Sequence, residues 1–381
     1  MSLQKLISRL PGPALRSVLA AGVVVAASAA AVPGNASAQT VTLYGIFDAA
    51  VEHVDNVGAA GSGLTRMPSL TGSVPSRLGL RGSEDLGGGL RAVFTLEQGF
   101  TPDAGTLSQG GRGWGRQAFV GLAGPWGTLS FGRHYTMLFW SILDADVMGP
   151  NLYGSGSLDS YIPSARADNS VSFKGTWAAL TLGATYSLGR DGVNAGNPAG
   201  TNCAGEDPAD KQACREWSAL AKFDTKSWGT ALAVDEIRGG AGAFAGLTRS
   251  DLKDTRVSAN GYVWLGDFKT TLGLLRRDNG GSASTPRSDL WYAGVVFTAM
   301  PLLTLEAELF SLRFNGSADG ARLGVVRSTY SLSRRTAVYA MLGHIANQGG
   351  LALSVSAGAG GSNPAPGAAQ SGLAAGVRHA F

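Results

Sequence analysis

Period-two segments recur along this chain, and the connections between them alternate strictly between short and long. Val41, Leu43, Phe47, Ala49 and Val51 share one parity, with Thr42, Tyr44, Asp48 and Glu52 on the other. Leu303, Leu305, Ala307 and Leu309 alternate with Thr304, Glu306 and Glu308, and Phe268, Thr270, Leu272 and Leu274 with Lys269 and Thr271. Successive side chains on a strand project to opposite faces, so each segment carries one apolar and one polar face. A soluble antiparallel sandwich would produce the same pattern with its apolar face inward. The connections decide. Tight turns are predicted at Glu84–Gly89, Gly124–Trp126, Lys174–Trp177, Asp224–Trp228, Leu265–Asp267, Ala299–Leu302 and Ser331–Arg335. Long stretches rich in Gly, Ser, Asn and Pro lie near 55–74, 101–114, 136–166, 188–215, 238–254, 278–287, 315–321 and 346–370.

Seven short and eight long connections join 16 strands with both chain ends on one side. The expectation is an all-β, 16-stranded antiparallel transmembrane β-barrel, with short periplasmic turns and long extracellular loops. Closure is obligatory there, because lipid offers no partner to an unpaired strand edge. Trp126, Tyr135, Trp177, Trp217, Trp228, Trp264, Trp291 and Phe381 sit near segment ends, where a girdle at headgroup level would place them.

The first 38 residues read as a cleaved signal peptide and 39–381 as the barrel. Lys5, Arg9 and Arg16 precede the apolar run Val18–Ala31, and Ala36-Ser37-Ala38 supplies a small-x-small cleavage site before Gln39. The apolar run is too short to span a bilayer. Removing those three cations from a formal charge of +4 leaves the mature chain near neutral. That excludes a nucleic-acid footprint. Only 15% of residues are charged, too few for an ordinary cytosolic enzyme.

The residues resemble the Gram-negative general porins, in their beta-proteobacterial branch. The likeness runs through Val41–Gly45, Ser76–Leu90, Gly115–Leu122, Gly127–Arg133, Arg166–Val171 and Gly376–Phe381. It implies a homotrimer, each barrel with its own aqueous pore for small hydrophilic solutes and ions, set among outer-membrane lipid and lipopolysaccharide. It implies a third loop, from Thr136 to about Ala165, folded inward against a basic wall. By motif that wall is Arg77, Arg133 and Arg166, with Arg81 sharing the parity of Arg77. The loop acids Asp144, Asp146 and Asp159 would oppose it, so that facing charges bias which ions pass. Arg133 shares parity with Phe131, so the alternation is imperfect there. Glu52, Arg91 and Lys269 are lumen candidates by parity alone. Phe381, ending a strand with one apolar face, resembles the signal read by the barrel-assembly machinery.

Cys203 and Cys214 share one polar loop of an exported chain and are expected to form a local disulfide. His53, His134, His344 and His379 form no HExxH or other metal spacing, and no GxSxG elbow is present. No cofactor, metal or nucleic-acid partner is expected. An outer-membrane channel with a weak anion preference, from the arginine count, is the leading reading. The alternatives are a sugar- or phosphate-specific channel, a barrel enzyme and an adhesin.

Overall fold

A computed structural model describes residues 40–70, 74–191 and 201–381. The expected signal peptide, residues 1–38, lies outside the described residues. The strands are β1 (Thr40–Val57), β2 (Ser62–Arg66), β3 (Arg77–Gly87), β4 (Leu90–Gly99), β5 (Gln117–Gly124), β6 (Gly127–Tyr135), β7 (Arg166–Trp177), β8 (Leu180–Ser187) and β9 (Glu216–Asp224). They continue with β10 (Trp228–Arg238), β11 (Lys253–Leu265), β12 (Phe268–Asn279), β13 (Arg287–Met300), β14 (Leu303–Phe314), β15 (Gly320–Ser331), β16 (Thr336–Gln348) and β17 (Ala369–Ala380). All pair antiparallel in one 17-stranded sheet, of which β2 is a short arm inside the first long loop. The other sixteen close the barrel. β1 pairs β3 over Thr40–Ile46 and β17 over Ile46–Val54.

Short and long connections alternate around the barrel, and the long loop between β6 and β7 folds inward. One turn sits elsewhere than the sequence suggested. Lys174–Trp177 completes β7, and the chain reverses at 178–179, with Ala178 in the left-handed region at φ 53°. The terminal residue is part of the ladder. Gly45 and Phe381 exchange backbone hydrogen bonds of 3.0 and 3.1 Å. The Phe381 ring lies so close over Gly45 that a Cβ there would come within 2.3 Å of it, so any larger residue would have to displace the ring.

Outward positions are apolar, as lipid contact requires: Leu43, Phe47, Val51, Leu272, Leu309 and Leu373 are all largely exposed on the isolated chain. Aromatic pairs gather beside the short turns, with ring centroids 4.4 Å apart for Phe268–Phe297, 5.5 Å for Phe223–Trp228 and 6.3 Å for Trp126–Phe173. Tyr135 departs from the girdle expectation. The register of β6 on β7 slips between Gly132 and His134, and this bulge turns Tyr135 inward, where it is buried. Gly132 makes the bulge possible, with φ 138° and space for no Cβ against the Ala118 carbonyl.

The interior is asymmetric. The inward face of β10–β17 mixes buried polar groups such as Asp254, Arg256, Ser258 and Glu308 with an apolar patch, in which Ile237, Leu275, Phe310, Leu323, Met341 and Ile345 cluster with Leu138, Ile142, Met148 and Leu152 of the third loop. One wall of the barrel therefore holds the loop, and the channel is left against the wall formed by β3–β7.

Candidate channel constriction

The third loop leaves β6 at Thr136, whose N–H donates to the Ala165 carbonyl at 3.0 Å and pinches the neck. Helix α1 (Met137–Ile142) follows, burying Met137, Leu138, Ser141 and Ile142. Between this loop and the β3–β7 wall lies a cavity of about 890 Å³. Arg77, Glu97, Arg116, Tyr135 and Arg166 line its wall side, and Phe139, Trp140, Leu143, Ser160 and Ser164 its loop side.

The wall carries a ladder of cations, spaced by aromatic rings and one carboxylate. The Arg81 guanidinium lies over the Tyr44 ring at 5.3 Å, and the Tyr44 hydroxyl donates to Glu97 Oε2 at 2.9 Å. Arg116 Nε donates to Glu97 Oε1 at 2.7 Å, and Arg77 Nε approaches Oε2 at 3.9 Å. Arg116 and Arg166 lie over the Tyr135 ring at 5.8 and 4.3 Å, and Arg166 also donates to the Tyr135 hydroxyl at 2.8 Å. Cation–π contacts and charge-assisted hydrogen bonds hold these guanidinium groups in fixed positions without neutralising them all. Four arginines stand here beside one carboxylate, which pairs with only Arg116 and Arg77, so the wall is net positive.

Of the residues proposed from sequence, Arg77, Arg81 and Arg166 stand on this ladder and Arg133 stands apart. Arg133 occupies the β6 bulge, where Nε donates to the Gly115 carbonyl at 2.8 Å and Nη1 pairs with Asp168. Asp168 also takes Arg112, which in turn binds Asp191, so Arg133 belongs to an ion-pair cluster that ties loop bases together. The bulge that brings Tyr135 inward is what diverts Arg133. Arg116 was missed by parity, because it precedes β5 and has no strand alternation to place it. The only sequence signal for it was its position inside the family-like stretch Gly115–Leu122.

The three loop acids do not present free charge to the arginines. Asp144 pairs with Lys222 on β9. Asp146 accepts from Ser155 Oγ at 2.6 Å and the Gly149 N–H at 2.8 Å, and burial raises its carboxyl above the usual range. Asp159 accepts from Arg256 Nε at 2.8 Å and Nη2 at 3.2 Å. Burial alone would raise its pKa, but the charges of Arg256 and Arg277 overcome that and bring it down to about 2. Two of these acids thus fasten the loop to the β9 and β11 wall, and the third braces its internal turn.

A second loop also enters the channel mouth. Residues 353–363, in the last long loop, line the same cavity. Arg66 at the end of β2 pins them, donating to the Gly360 carbonyl at 2.7 Å, the Ala359 carbonyl at 3.1 Å and Ser362 Oγ at 3.0 Å. Its Nε meets the fully buried Glu52 at 2.6 Å. The loop in turn touches the third loop, with the Ala357 N–H on the Leu152 carbonyl at 2.8 Å. Cys203 and Cys214 are disulfide-bonded and buried in the fourth long loop, beside Arg190, whose Nη2 reaches the Ser164 carbonyl of the third loop at 3.1 Å.

The sequence model of the family described as Gram-negative porin matches residues 23–350. Outer membrane porin protein 32 of Delftia acidovorans is 29% identical over 374 residues, covering 94% of this chain and 99% of that protein. Major outer membrane protein P.IB of Neisseria meningitidis is 42% identical over 118 residues, covering 30% of this chain and 34% of that protein. Among solved structures, an anion-selective porin from Comamonas acidovorans superposes with a TM-score of 0.73 at 21% identity, covering 90% of this chain and 100% of that one. The trimer form of OmpT from Vibrio cholerae superposes with a TM-score of 0.63 at 14% identity, covering 91% and 100%.

Proposed function

The chain belongs to the Gram-negative porin family and is an outer-membrane porin, and from that premise we propose that its channel favours small anions through the arginine ladder of the β3–β7 wall. The observation that carries this reading is the imbalance across the constriction. Arg77, Arg81, Arg116 and Arg166 stand on one side with a single carboxylate, Glu97, which takes Arg116 and Arg77, while Asp144 and Asp159 of the third loop are paired with cations of the other wall. A narrow pore with one dominant sign of fixed charge concentrates counter-ions and repels co-ions. The similarity in fold to a porin described as anion-selective is consistent with this.

The barrel works as a homotrimer, each subunit carrying its own pore, and solutes cross down their gradients without a covalent step. Residues 1–38 are removed on export, and Phe381 serves the barrel-assembly machinery as its recognition end. Intact mass of the outer-membrane protein, beginning at Gln39, tests the first of these.

Step conductance and reversal potential across a planar bilayer under a KCl gradient test the channel reading. Triplet steps with an anion-selective potential are expected. Cation selectivity would overturn the ladder's role and keep the pore, whereas a protein that inserts but passes no current would overturn passive conduction itself.

A further inference from the structure

The third loop meets the arginine ladder with rings and alkyl groups. Asp144, Asp146 and Asp159 turn to other partners, and Phe139, Trp140 and Leu143 border the constriction cavity in their place. Leu143 is 42% exposed, and Phe139 and Trp140 are half-buried. Apolar surface left facing water costs about 25 cal/mol per Å². A contiguous patch of it opposite fixed charge is the mark of a binding surface rather than of a plain aqueous conduit.

Three aromatic residues form a corner here, because the β6 bulge brings Tyr135 inward and helix α1 begins two residues later. The Tyr135 and Phe139 rings stack, with centroids 4.0 Å and planes 17° apart. Trp140 stands steeply across both, at 72° and 80°, with centroid distances of 5.7 and 5.8 Å. Such a corner offers a further ring a stacked contact on one side and an edge-to-face contact on the other, the two arrangements that aromatic pairs prefer.

Cations adjoin both walls of the corner. Arg116 and Arg166 lie over the Tyr135 ring at 5.8 and 4.3 Å, and Lys174 Nζ lies over the Trp140 ring at 3.7 Å. Lys174 shares the inward parity of Arg166 and stands eight residues closer to the short turn after β7. At about 3.4 Å per residue and a tilt near 45°, that is roughly 19 Å along the pore. Lys174 forms no ion pair among the described residues, so its charge is open to a solute.

We propose that this corner selects aromatic carboxylates, the solute's ring seating against Phe139 and Trp140 while its carboxylate passes from the ladder arginines to Lys174. A mineral anion or a short aliphatic acid meets the same cations and gains nothing from the rings, and a neutral aromatic solute lacks the charge. The inference rests on the anion reading of the ladder and adds to it a class of organic solute.

The test is the interruption of single-channel KCl current by added benzoate, with acetate and cyclohexanecarboxylate as comparisons of equal charge. On the unaltered protein benzoate should block at a concentration about tenfold below that of acetate and about fivefold below that of cyclohexanecarboxylate, the scale of favourable aromatic contact. Trp140→Leu, which keeps every charge, should raise the blocking concentration of benzoate about fivefold relative to that of acetate. Taking this ratio within one protein cancels any change in pore width. Equal block by benzoate and cyclohexanecarboxylate would overturn the aromatic assignment. Equal block by benzoate and acetate, with an anion-selective reversal potential in KCl, would overturn the site and leave the ladder reading standing. An unchanged ratio in Trp140→Leu would overturn the part played by the corner. A cation-selective reversal potential would overturn the ladder reading and this inference with it.

Discussion

Replacing Arg66 with alanine should loosen the channel mouth while leaving the barrel intact. Arg66 joins a fully buried carboxylate, Glu52, to the backbone and hydroxyls of the last long loop. Removing one partner of a buried ion pair costs about 3–5 kcal/mol, because the other charge is left without compensation. The barrel ladders are untouched by this loss, so it falls on the loop. What remains to hold the loop's tip are backbone contacts, Ala357 N–H on the Leu152 carbonyl at 2.8 Å, Leu70 N–H on the Gly358 carbonyl at 2.8 Å and Gly58 N–H on the Asn363 carbonyl at 2.9 Å, together with side-chain contacts from Ser157 to the Val355 carbonyl, from Gln370 to Val355 and Ser362, and from Ser356 to Glu52. Each contributes on the order of 1 kcal/mol. A loss of 3–5 kcal/mol multiplies the population with the loop displaced by about two to nearly four orders of magnitude. Single-channel recordings should then show larger open-state conductance and excess current noise, with unchanged migration of the folded protein on gels. The double variant Arg66→Ala with Glu52→Gln separates the buried charge from the lost tether. It should recover much of the quiet trace, because the unpaired carboxylate is gone. A quiet trace from Arg66→Ala itself would refute the clamp, and identical noise in the single and double variants would refute the role of the buried charge.

Other consequences of the geometry are open to direct measurement. Arg116→Gln should move the reversal potential toward cations, whereas Arg133→Gln, off the ladder, should leave it where it was. Anion preference should shrink as KCl rises from 0.1 to 1 M, since the screening length falls from about 10 to about 3 Å. Asp159 is held to about 2 by Arg256 and Arg277, below the roughly 3.9 of an unfolded aspartate. Its contribution to docking the third loop is therefore complete above about pH 4 and lost as pH falls through about 2. Current noise should rise only in that acid window, and Asp159→Asn should be noisy already at pH 7. Reducing the Cys203–Cys214 bond removes about 3 kcal/mol of loop constraint in the chain-entropy view. Trypsin should then cut faster at Lys211 and Arg215, and an unchanged cleavage rate would count against any stiffening.

The barrel was legible in the sequence because lipid and water impose opposite demands on alternate residues, and because the two ends of the barrel use different connection lengths. Both signals are local. They placed β1, β12 and β14, and every reversal to within a few residues, but they carry no information about what fills the lumen. In β16, inward Tyr339, Met341 and Ile345 alternate with outward Val338, Ala340 and Leu342, so both faces are apolar and periodicity is silent. The reason lies more than a hundred residues away, in a third loop whose own apolar side chains need a wall to pack on. That loop is also why the charge arithmetic of the constriction was misleading. Three aspartates without a neighbouring cation in sequence looked free to face the arginines, yet in space the loop lies against Lys222 and Arg256, which claim two of them. The bulge at Gly132 had the same effect on a smaller scale, exchanging Arg133 for Tyr135 at the channel wall. On the proposed reading, selectivity follows from which cations are left over once the loop has been fastened, and that remainder is a property of the packed interior that no single segment of the chain contains.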